Sequence, residues 1–285
     1  MTPTVVQLLS QARQCLAERL QLPETEARIE AQLLLSRALG GVSRAWLITH
    51  EQDTPALDQH QTFESLLERR LNGEPVAYLL GQREFFGLPF NVTPAVLIPR
   101  PDTEILVETA LALIPDQQAM RVLDMGVGSG AIAIAIAKNR PQTQVVGIDR
   151  SEAALEVAKA NAEALDAPNA DFLLSHWFSS LGGEEFDVIV SNPPYIAAGD
   201  PHLAQGDLRF EPSSALASGT DGLNDIREIV AQAPGHLKSQ GWLLLEHGYD
   251  QAKKVADLMR ANSFIEVRSV ADLSGILRVT LGQRP

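Results

Sequence analysis

The strongest constraint on the fold is an apolar segment that ends in a proline-rich tetrapeptide. Residues 186–190 read Phe-Asp-Val-Ile-Val, and Asn192, Pro193, Pro194 and Tyr195 follow after a single serine. A short, continuous apolar run of this kind is typical of a buried strand in a parallel sheet. The tetrapeptide is then expected at the carboxyl end of that strand, which is where open α/β sheets bind their ligands.

The tetrapeptide itself predicts a clamp for a planar nitrogen. A residue before proline is held in extended geometry, and the pair Pro193-Pro194 stiffens the loop. The Asn192 side chain can accept one N–H of a substrate amino group, and the Pro193 carbonyl oxygen can accept the other. Tyr195 offers a flat face to a planar group. We therefore expect Asn192 and Pro193 to be catalytic, and all four residues to bind substrate, in the methylation of an amide or exocyclic amine. A plain proline-rich turn is the structural alternative.

Strand and helix segments alternate along the chain from about residue 121. This alternation predicts an α/β fold with a doubly wound, Rossmann-like parallel sheet, the expected methyltransferase architecture. Too few residues separate the last two strands for a helical crossover, so we expect an antiparallel C-terminal hairpin. Strands are predicted near 121–125, 144–148, 170–174, 186–190, 241–246, 264–270 and 275–281, and helices near 129–138, 151–165, 223–238 and 250–261.

The N-terminal part of the chain has a different pattern. Apolar residues recur there at helical spacing with no strand-like alternation, which predicts a small helical bundle. Phenylalanines around Gly87 and Pro89 then predict a β-hairpin, and Asp102 or Thr103 is expected to cap the next helix. The predicted organisation is a helical domain over residues 1–73, a linker with the hairpin over 74–93, and an α/β domain over 94–285.

A glycine-rich loop follows the first predicted strand of the α/β domain. Asp124 ends that strand, and residues 126–130 read Gly-Val-Gly-Ser-Gly before a helix begins. Glycines let a ligand approach the backbone closely, and the amino end of a helix offers free N–H groups. With Ala131 the loop also fits the dinucleotide fingerprint, and Asp149 lies at the distance expected for a ribose contact. A nicotinamide cofactor is therefore an open alternative, as is a loop that only packs helix on sheet.

Two details favour S-adenosylmethionine over a dinucleotide. A carboxylate at Asp124 is useful beside a bound ammonium group and harmful beside pyrophosphate. The predicted amine clamp also has no evident task in hydride transfer. Asp149 would then hold the ribose hydroxyls, because Ser151 is already available as the helix cap. Trp177 could flank the adenine, although a generic buried tryptophan is an equal alternative.

Composition narrows the class of protein further. The net charge of −13 disfavours binding that depends on neutralising phosphates, so we do not expect a nucleic-acid partner. The single cysteine excludes an intramolecular disulfide, and with six histidines lacking paired spacing it predicts no metal site. No signal peptide or membrane-spanning stretch is visible. We expect a soluble, cytoplasmic monomer.

Four segments of the chain resemble the peptide chain release factor glutamine methyltransferases (HemK/PrmC family). The most specific is Leu-Ile-Pro-Arg-Pro-Asp-Thr-Glu, because the loop and the tetrapeptide also occur in other amino-methyltransferases. The resemblance extends over essentially the whole chain, with two departures at Val127 and His247, where the family usually has threonine and often has isoleucine. The matching segments are residues 97–104, 124–130, 192–195 and 210–212.

The resemblance implies an activity and a set of site residues. It implies methyl transfer from S-adenosylmethionine to the side-chain amide of the glutamine in the Gly-Gly-Gln motif of class 1 release factors. The helical domain holds none of the cofactor motifs and is too large and apolar for a linker, so we expect it to grip that protein. Asn192, Pro193, Pro194 and Tyr195 would bind the glutamine. The cofactor contacts would be Asp124, Gly126, Val127, Gly128, Ser129, Gly130, Asp149, Trp177 and Asn192.

Other functions remain open from the sequence alone. A nucleic-acid methyltransferase acting on adenine N6 or guanine N2 would need the same clamp, since a base amine presents the same two hydrogens. A dehydrogenase would use the glycine loop but not the clamp. A non-catalytic module could bind a partner through the helices and only sense a cofactor.

Overall fold

The computed structural model describes residues 3–285, so the first two residues of the predicted helical domain lie outside it. The chain divides into two compact units, Met1–Gln82 and Arg83–Pro285. The division falls nine residues after the predicted end of the helical domain at residue 73, because one more short helix belongs to the first unit.

The first unit is a bundle of helices. Leu16, Leu34 and Phe63 are fully buried in its core, as the helical spacing of the apolar residues predicts. Ser43 caps the third helix by accepting a hydrogen bond from the Trp46 amide at 3.1 Å. The helices are α1 (Val5–Leu20), α2 (Glu24–Ala38), α3 (Arg44–Thr49), α4 (Leu57–Leu71) and α5 (Val76–Leu80).

The second unit opens with a short hairpin and continues as alternating strands and helices. Its hairpin strands are β1 (Gln82–Phe85) and β2 (Leu88–Asn91). The remaining elements are α6 (Glu104–Leu113), β3 (Arg121–Met125), α7 (Ala131–Asn139), β4 (Gln144–Asp149), α8 (Glu152–Ala164), β5 (Ala170–Leu174), β6 (Phe186–Ser191), α9 (Asn224–Gln232), β7 (Leu237–Glu246), α10 (Ala252–Ala261), β8 (Ile265–Ala271) and β9 (Leu277–Gln283).

Seven strands form one sheet in the order β5-β4-β3-β6-β7-β9-β8. The first five are parallel, and β9 is antiparallel to both β7 and β8. The predicted α/β sheet with an antiparallel C-terminal hairpin is therefore confirmed. In the register Met125 pairs with both Ile148 and Ser191, so the carboxyl ends of β3, β4 and β6 are level. Whatever follows those strands therefore lies at one edge of the sheet.

Two local predictions were wrong. The helix predicted over 223–238 ends at Gln232, and β7 begins at Leu237, four residues before the predicted start at 241. Pro234 explains the difference, because it lacks an N–H and its ring disrupts a continuing helix. Thr103 does precede α6, but its side chain makes no capping bond.

Within residues 3–285, none of the helices has the length and apolar character needed to cross a membrane.

Candidate active site

A cavity of about 300 Å³ opens at the carboxyl edge of the sheet. It is bounded by the loop after β3, the end of β4, the segment after β5 and the tetrapeptide after β6, which the level strand ends bring together. Six of the residues predicted from the sequence line it, and they are Gly126, Gly128, Asp149, Trp177, Asn192 and Pro194. The glycine loop and the tetrapeptide, which follow the neighbouring strands β3 and β6, therefore both line one cavity.

Gly126 shows why the loop needs glycine. Its φ is +74°, a conformation that other residues adopt only with strain, and a methyl group built on it would lie 3.8 Å from the Trp177 ring. The backbone amides of Gly126 and Val127 both donate to the Ile148 carbonyl oxygen at 2.9 Å. The loop thus turns tightly against the end of β4 and exposes its backbone to the cavity.

Asp149 connects the end of β4 with the glycine loop. Its Oδ2 accepts a hydrogen bond from the Gly128 amide at 3.0 Å, and its Oδ1 accepts one from the Ser151 amide at 2.9 Å. Each carboxylate oxygen can accept a second bond, so Asp149 can still bind hydroxyl groups in the cavity. Ser151 caps α8 by accepting from the Ala154 amide, as expected.

Four of the predicted cofactor residues are buried and do not line the cavity. Asp124 lies in β3 beneath the loop, whereas Val127, Ser129 and Gly130 belong to the loop itself. The Val127 side chain packs on Gly147 of β4, so the departure from the family pattern affects packing there. Asp124 Oδ2 accepts from the Ala133 amide at 3.0 Å, which holds the start of α7 against β3. Burial raises the pKa of Asp124 to about 7, and its Oδ1 has no hydrogen-bond partner within the described residues.

Trp177 lies across the cavity from the tetrapeptide in an unusual conformation, with φ at +45°. Its indole Nε1 is buried and has no partner within residues 3–285. A buried donor without a partner carries a free-energy cost, so such a position favours a ligand that supplies an acceptor or a flat surface.

The tetrapeptide is anchored at both ends by groups that the sequence did not single out. Asn192 Nδ2 donates to the Thr103 hydroxyl oxygen at 3.2 Å. The Tyr195 hydroxyl donates to Glu246 Oε1 at 3.3 Å. Pro193 is buried and is not among the residues that line this cavity, so its predicted role depends on its backbone carbonyl.

A second, smaller cavity of about 70 Å³ adjoins the tetrapeptide. Tyr195 and Arg100 line it, and Asn192, Leu97 and Ala215 line both cavities. Two specific motifs of the sequence meet here, because the Arg100 guanidinium pairs with the buried Glu211 carboxylate at 2.6 Å.

An ionisable group lies behind the tetrapeptide. Glu246, the last residue of β7, is only 2% exposed, and burial raises its pKa to about 7. Hydrogen bonding from Thr103 and Tyr195 and the charge of Arg278 lower that pKa, whereas the charge of Asp102 raises it.

His247, the second departure from the family pattern, turns away from this group. Its Nε2 lies 2.8 Å from the Thr280 hydroxyl and its Nδ1 lies 2.9 Å from the Gly248 carbonyl oxygen. It is therefore a buried, hydrogen-bonded core residue.

Two family models match different parts of the chain. The methyltransferase small domain matches residues 101–208, and the PrmC N-terminal domain matches residues 7–81. The release factor glutamine methyltransferase of Pseudomonas aeruginosa is 51% identical over 92% of this chain and 95% of its own length. That of Escherichia coli K12 is 44% identical over 93% of this chain and 95% of its own length.

Solved structures extend the likeness of the fold. The T. thermophilus 16S rRNA N2 G1207 methyltransferase, in complex with AdoMet and guanosine, has a TM-score of 0.53 at 21% identity, over 72% of this chain and 50% of that one. A methyltransferase from Pyrococcus furiosus has a TM-score of 0.54 at 17% identity, over 78% of this chain and 98% of that one. At these identities the likeness concerns the fold alone.

Proposed function

The chain belongs to the family of release factor glutamine methyltransferases, and we propose that it methylates the side-chain amide of the Gly-Gly-Gln glutamine in class 1 release factors. The observation that carries this proposal is the position of Asn192 between two cavities. The larger one is bounded by the glycine loop and fits a cofactor, and the smaller one, beside Tyr195, fits a side chain. Methyl transfer requires donor and acceptor to meet at one point, and the two cavities share Asn192.

The residues of the larger cavity fit S-adenosylmethionine. Gly126 lines the cavity with backbone alone, Asp149 has free acceptor capacity for ribose hydroxyls, and Trp177 offers a flat ring whose buried Nε1 has no partner within residues 3–285. Asp124 does not line this cavity, but its buried Oδ1 has no partner in the described part of the chain, and an ammonium group nearby would stabilise the charge of its carboxylate. When bound, the cofactor supplies an electrophilic methyl group on a sulfonium.

The work of the chain's own residues is then alignment. An amide nitrogen is a poor nucleophile because its lone pair is delocalised into the carbonyl. The Asn192 side-chain oxygen and the Pro193 carbonyl would accept the two amide hydrogens and point the nitrogen into the larger cavity. Such positioning can lower a barrier by as much as about 7–11 kcal/mol in favourable cases. The same two acceptors would stabilise the positive charge that develops on the nitrogen.

We assign the helical unit a role in recognising the release factor. It contributes none of the residues that line the two cavities, yet it has its own buried core and several exposed apolar side chains, including Ile29 and Ile48.

We also propose that the enzyme acts as a monomer in the cytoplasm, where translation termination takes place. Light scattering would test the monomer, and cell fractionation the compartment.

Transfer of labelled methyl groups tests the proposal. The purified protein is incubated with labelled S-adenosylmethionine and an unmethylated class 1 release factor, and in parallel with the same factor carrying alanine for the motif glutamine. We expect label only in the first. Adenine- and guanine-containing RNA and DNA are assayed alongside, since the nucleic-acid alternative predicts label there. Label in nucleic acid, or equal label in both release factors, would overturn the proposal.

A further inference from the structure

We propose that Thr103 and Glu246 are positioning residues that fix which end of the Asn192 side-chain amide faces the substrate. The problem they solve is specific to asparagine. The oxygen and nitrogen of its amide are almost equal in size, so packing alone scarcely distinguishes the two orientations. Only one orientation presents an acceptor to the substrate N–H, because the other would set two donors against each other. This inference rests on the proposed function.

Thr103 holds the nitrogen end of that amide. Asn192 Nδ2 donates to the Thr103 hydroxyl oxygen at 3.2 Å, which directs Oδ1 to the opposite side. A hydroxyl, however, both donates and accepts, and it could equally donate to the oxygen of a flipped amide. Thr103 selects one orientation only if its own proton is committed elsewhere.

Glu246 is the group that takes that proton. Hydrogen bonding from Thr103 helps to lower the pKa of the Glu246 carboxyl group, which places the hydroxyl beside that carboxyl, and an ionised carboxylate can only accept. The Thr103 hydroxyl therefore donates to Glu246 and is left as an acceptor towards Asn192. The Tyr195 hydroxyl donates to the same carboxylate at 3.3 Å. One buried carboxylate thus orients both the first and the last residue of the tetrapeptide.

The surroundings of Glu246 suit this task. Its Oε2 is buried and makes no hydrogen bond within the described residues, so it has the capacity to accept the Thr103 proton. Arg278 is the cation whose charge favours the ionised form, and it is itself held by Asp102 and Asp272 at 2.9 Å. Asp102 and Tyr195 are the other titratable groups that act on Glu246. The neighbouring His247 hydrogen-bonds Thr280 instead.

Protonation of Glu246 should switch the arrangement off. A protonated carboxyl can donate to Thr103, which frees the hydroxyl proton and removes the preference for one amide orientation. With a pKa of about 7, the ionised fraction rises about tenfold between pH 6 and pH 8. We therefore expect kcat at saturating cofactor to rise by a similar factor over that range.

Two substitutions at Thr103 test the inference. Thr103→Val removes the hydroxyl at nearly constant volume and should lower kcat on release factor roughly tenfold or more, because the Asn192 amide loses a buried partner. Its dissociation constant for S-adenosylmethionine, measured by calorimetry, should change less than about twofold. Thr103→Ser restores the hydroxyl and should recover most of the lost kcat. Thr143→Val is the matched control, since Thr143 is fully buried and its hydroxyl makes no hydrogen bond to any residue of 3–285.

Glu246→Gln supplies a second readout that a purely structural role would not change. Glutamine keeps an acceptor but does not titrate, so the variant should lose the rise in kcat between pH 6 and pH 8, whatever its absolute rate. A pH profile unchanged by Glu246→Gln, or full activity in Thr103→Val, would overturn the inference. These results would overturn only the inference, because they require a wild-type enzyme that methylates release factor. An inactive wild type would instead overturn the proposed function.

Discussion

Replacing Asp149 with alanine tests the cofactor site most directly. Asp149 already accepts hydrogen bonds from the amides of Gly128 and Ser151, and it lines the larger cavity. The substitution would therefore remove both the proposed acceptor for the ribose hydroxyls and two hydrogen bonds that shape the cavity wall. We expect weaker binding of S-adenosylmethionine and a lower melting temperature.

The magnitude follows from the kind of bond that is lost. A hydrogen bond to a charged group contributes about 1.5–3 kcal/mol, which corresponds to a change of roughly ten- to a hundredfold in dissociation constant. Loss of the bond to the Gly128 amide would also loosen the glycine loop. A tenfold increase in the dissociation constant is therefore the minimum expected for Asp149→Ala. Asp149→Asn keeps one acceptor oxygen and should fall between the wild type and the alanine variant.

Isothermal calorimetry with S-adenosylmethionine measures the effect, and Asp187→Ala is the matched control. Asp187 also accepts a backbone N–H, from Arg121 at 2.7 Å, but it lies at the amino edge of the sheet. The control should lose stability and keep its cofactor affinity. If Asp149→Ala binds the cofactor as tightly as wild type, or if Asp187→Ala weakens binding equally, Asp149 does not hold the cofactor.

Three further results are expected. Asn192→Ala should lower kcat far more than it weakens cofactor binding, because the lost contact aligns the reacting nitrogen; turnover near the wild-type rate would exclude the clamp. The pKa of Asp124 is about 7 when folded, against about 4 unfolded, so this group disfavours the folded state increasingly as pH rises from 4 to 7. In urea titrations, the unfolding free energy of Asp124→Asn should therefore increase relative to that of the wild type as the pH rises from 4 to 7. A difference between the two proteins that does not change with pH would refute the pKa shift. A chain beginning at Arg83 should keep cofactor affinity and lose most activity on intact release factor, but not on a short Gly-Gly-Gln peptide; full activity on the intact factor would give the helical unit another role.

The sequence predicted the sheet because its signals are local. Apolar strands, the glycine loop and the proline pair each act within a few residues, and the parallel order then places their ends at one edge. The predicted end of the helix near 238 was wrong because the weight of Pro234 was missed, although that signal was also local.

Groups that act across the sheet were not predicted. Thr103 and Glu246 lie far apart in sequence. From the local sequence, Thr103 is interpreted as a helix cap and Glu246 as the end of a strand. Only the tertiary structure shows that both reach the tetrapeptide. Asp124 illustrates the same limit, since its place beneath the loop could not be inferred from its position before the glycines.

Chemical selectivity and protein selectivity must arise in different parts of this molecule. The proposed clamp of Asn192 and Pro193 would recognise two hydrogens on a planar nitrogen, and every glutamine or asparagine side chain presents them. The smaller cavity beside it, at about 70 Å³, admits little more than one side chain and so cannot read the surrounding sequence at length. The choice of one glutamine in a cell therefore has to come from contacts outside both cavities. The helical unit, with a core of its own and exposed apolar side chains, is the largest part of the chain with no task in the chemistry.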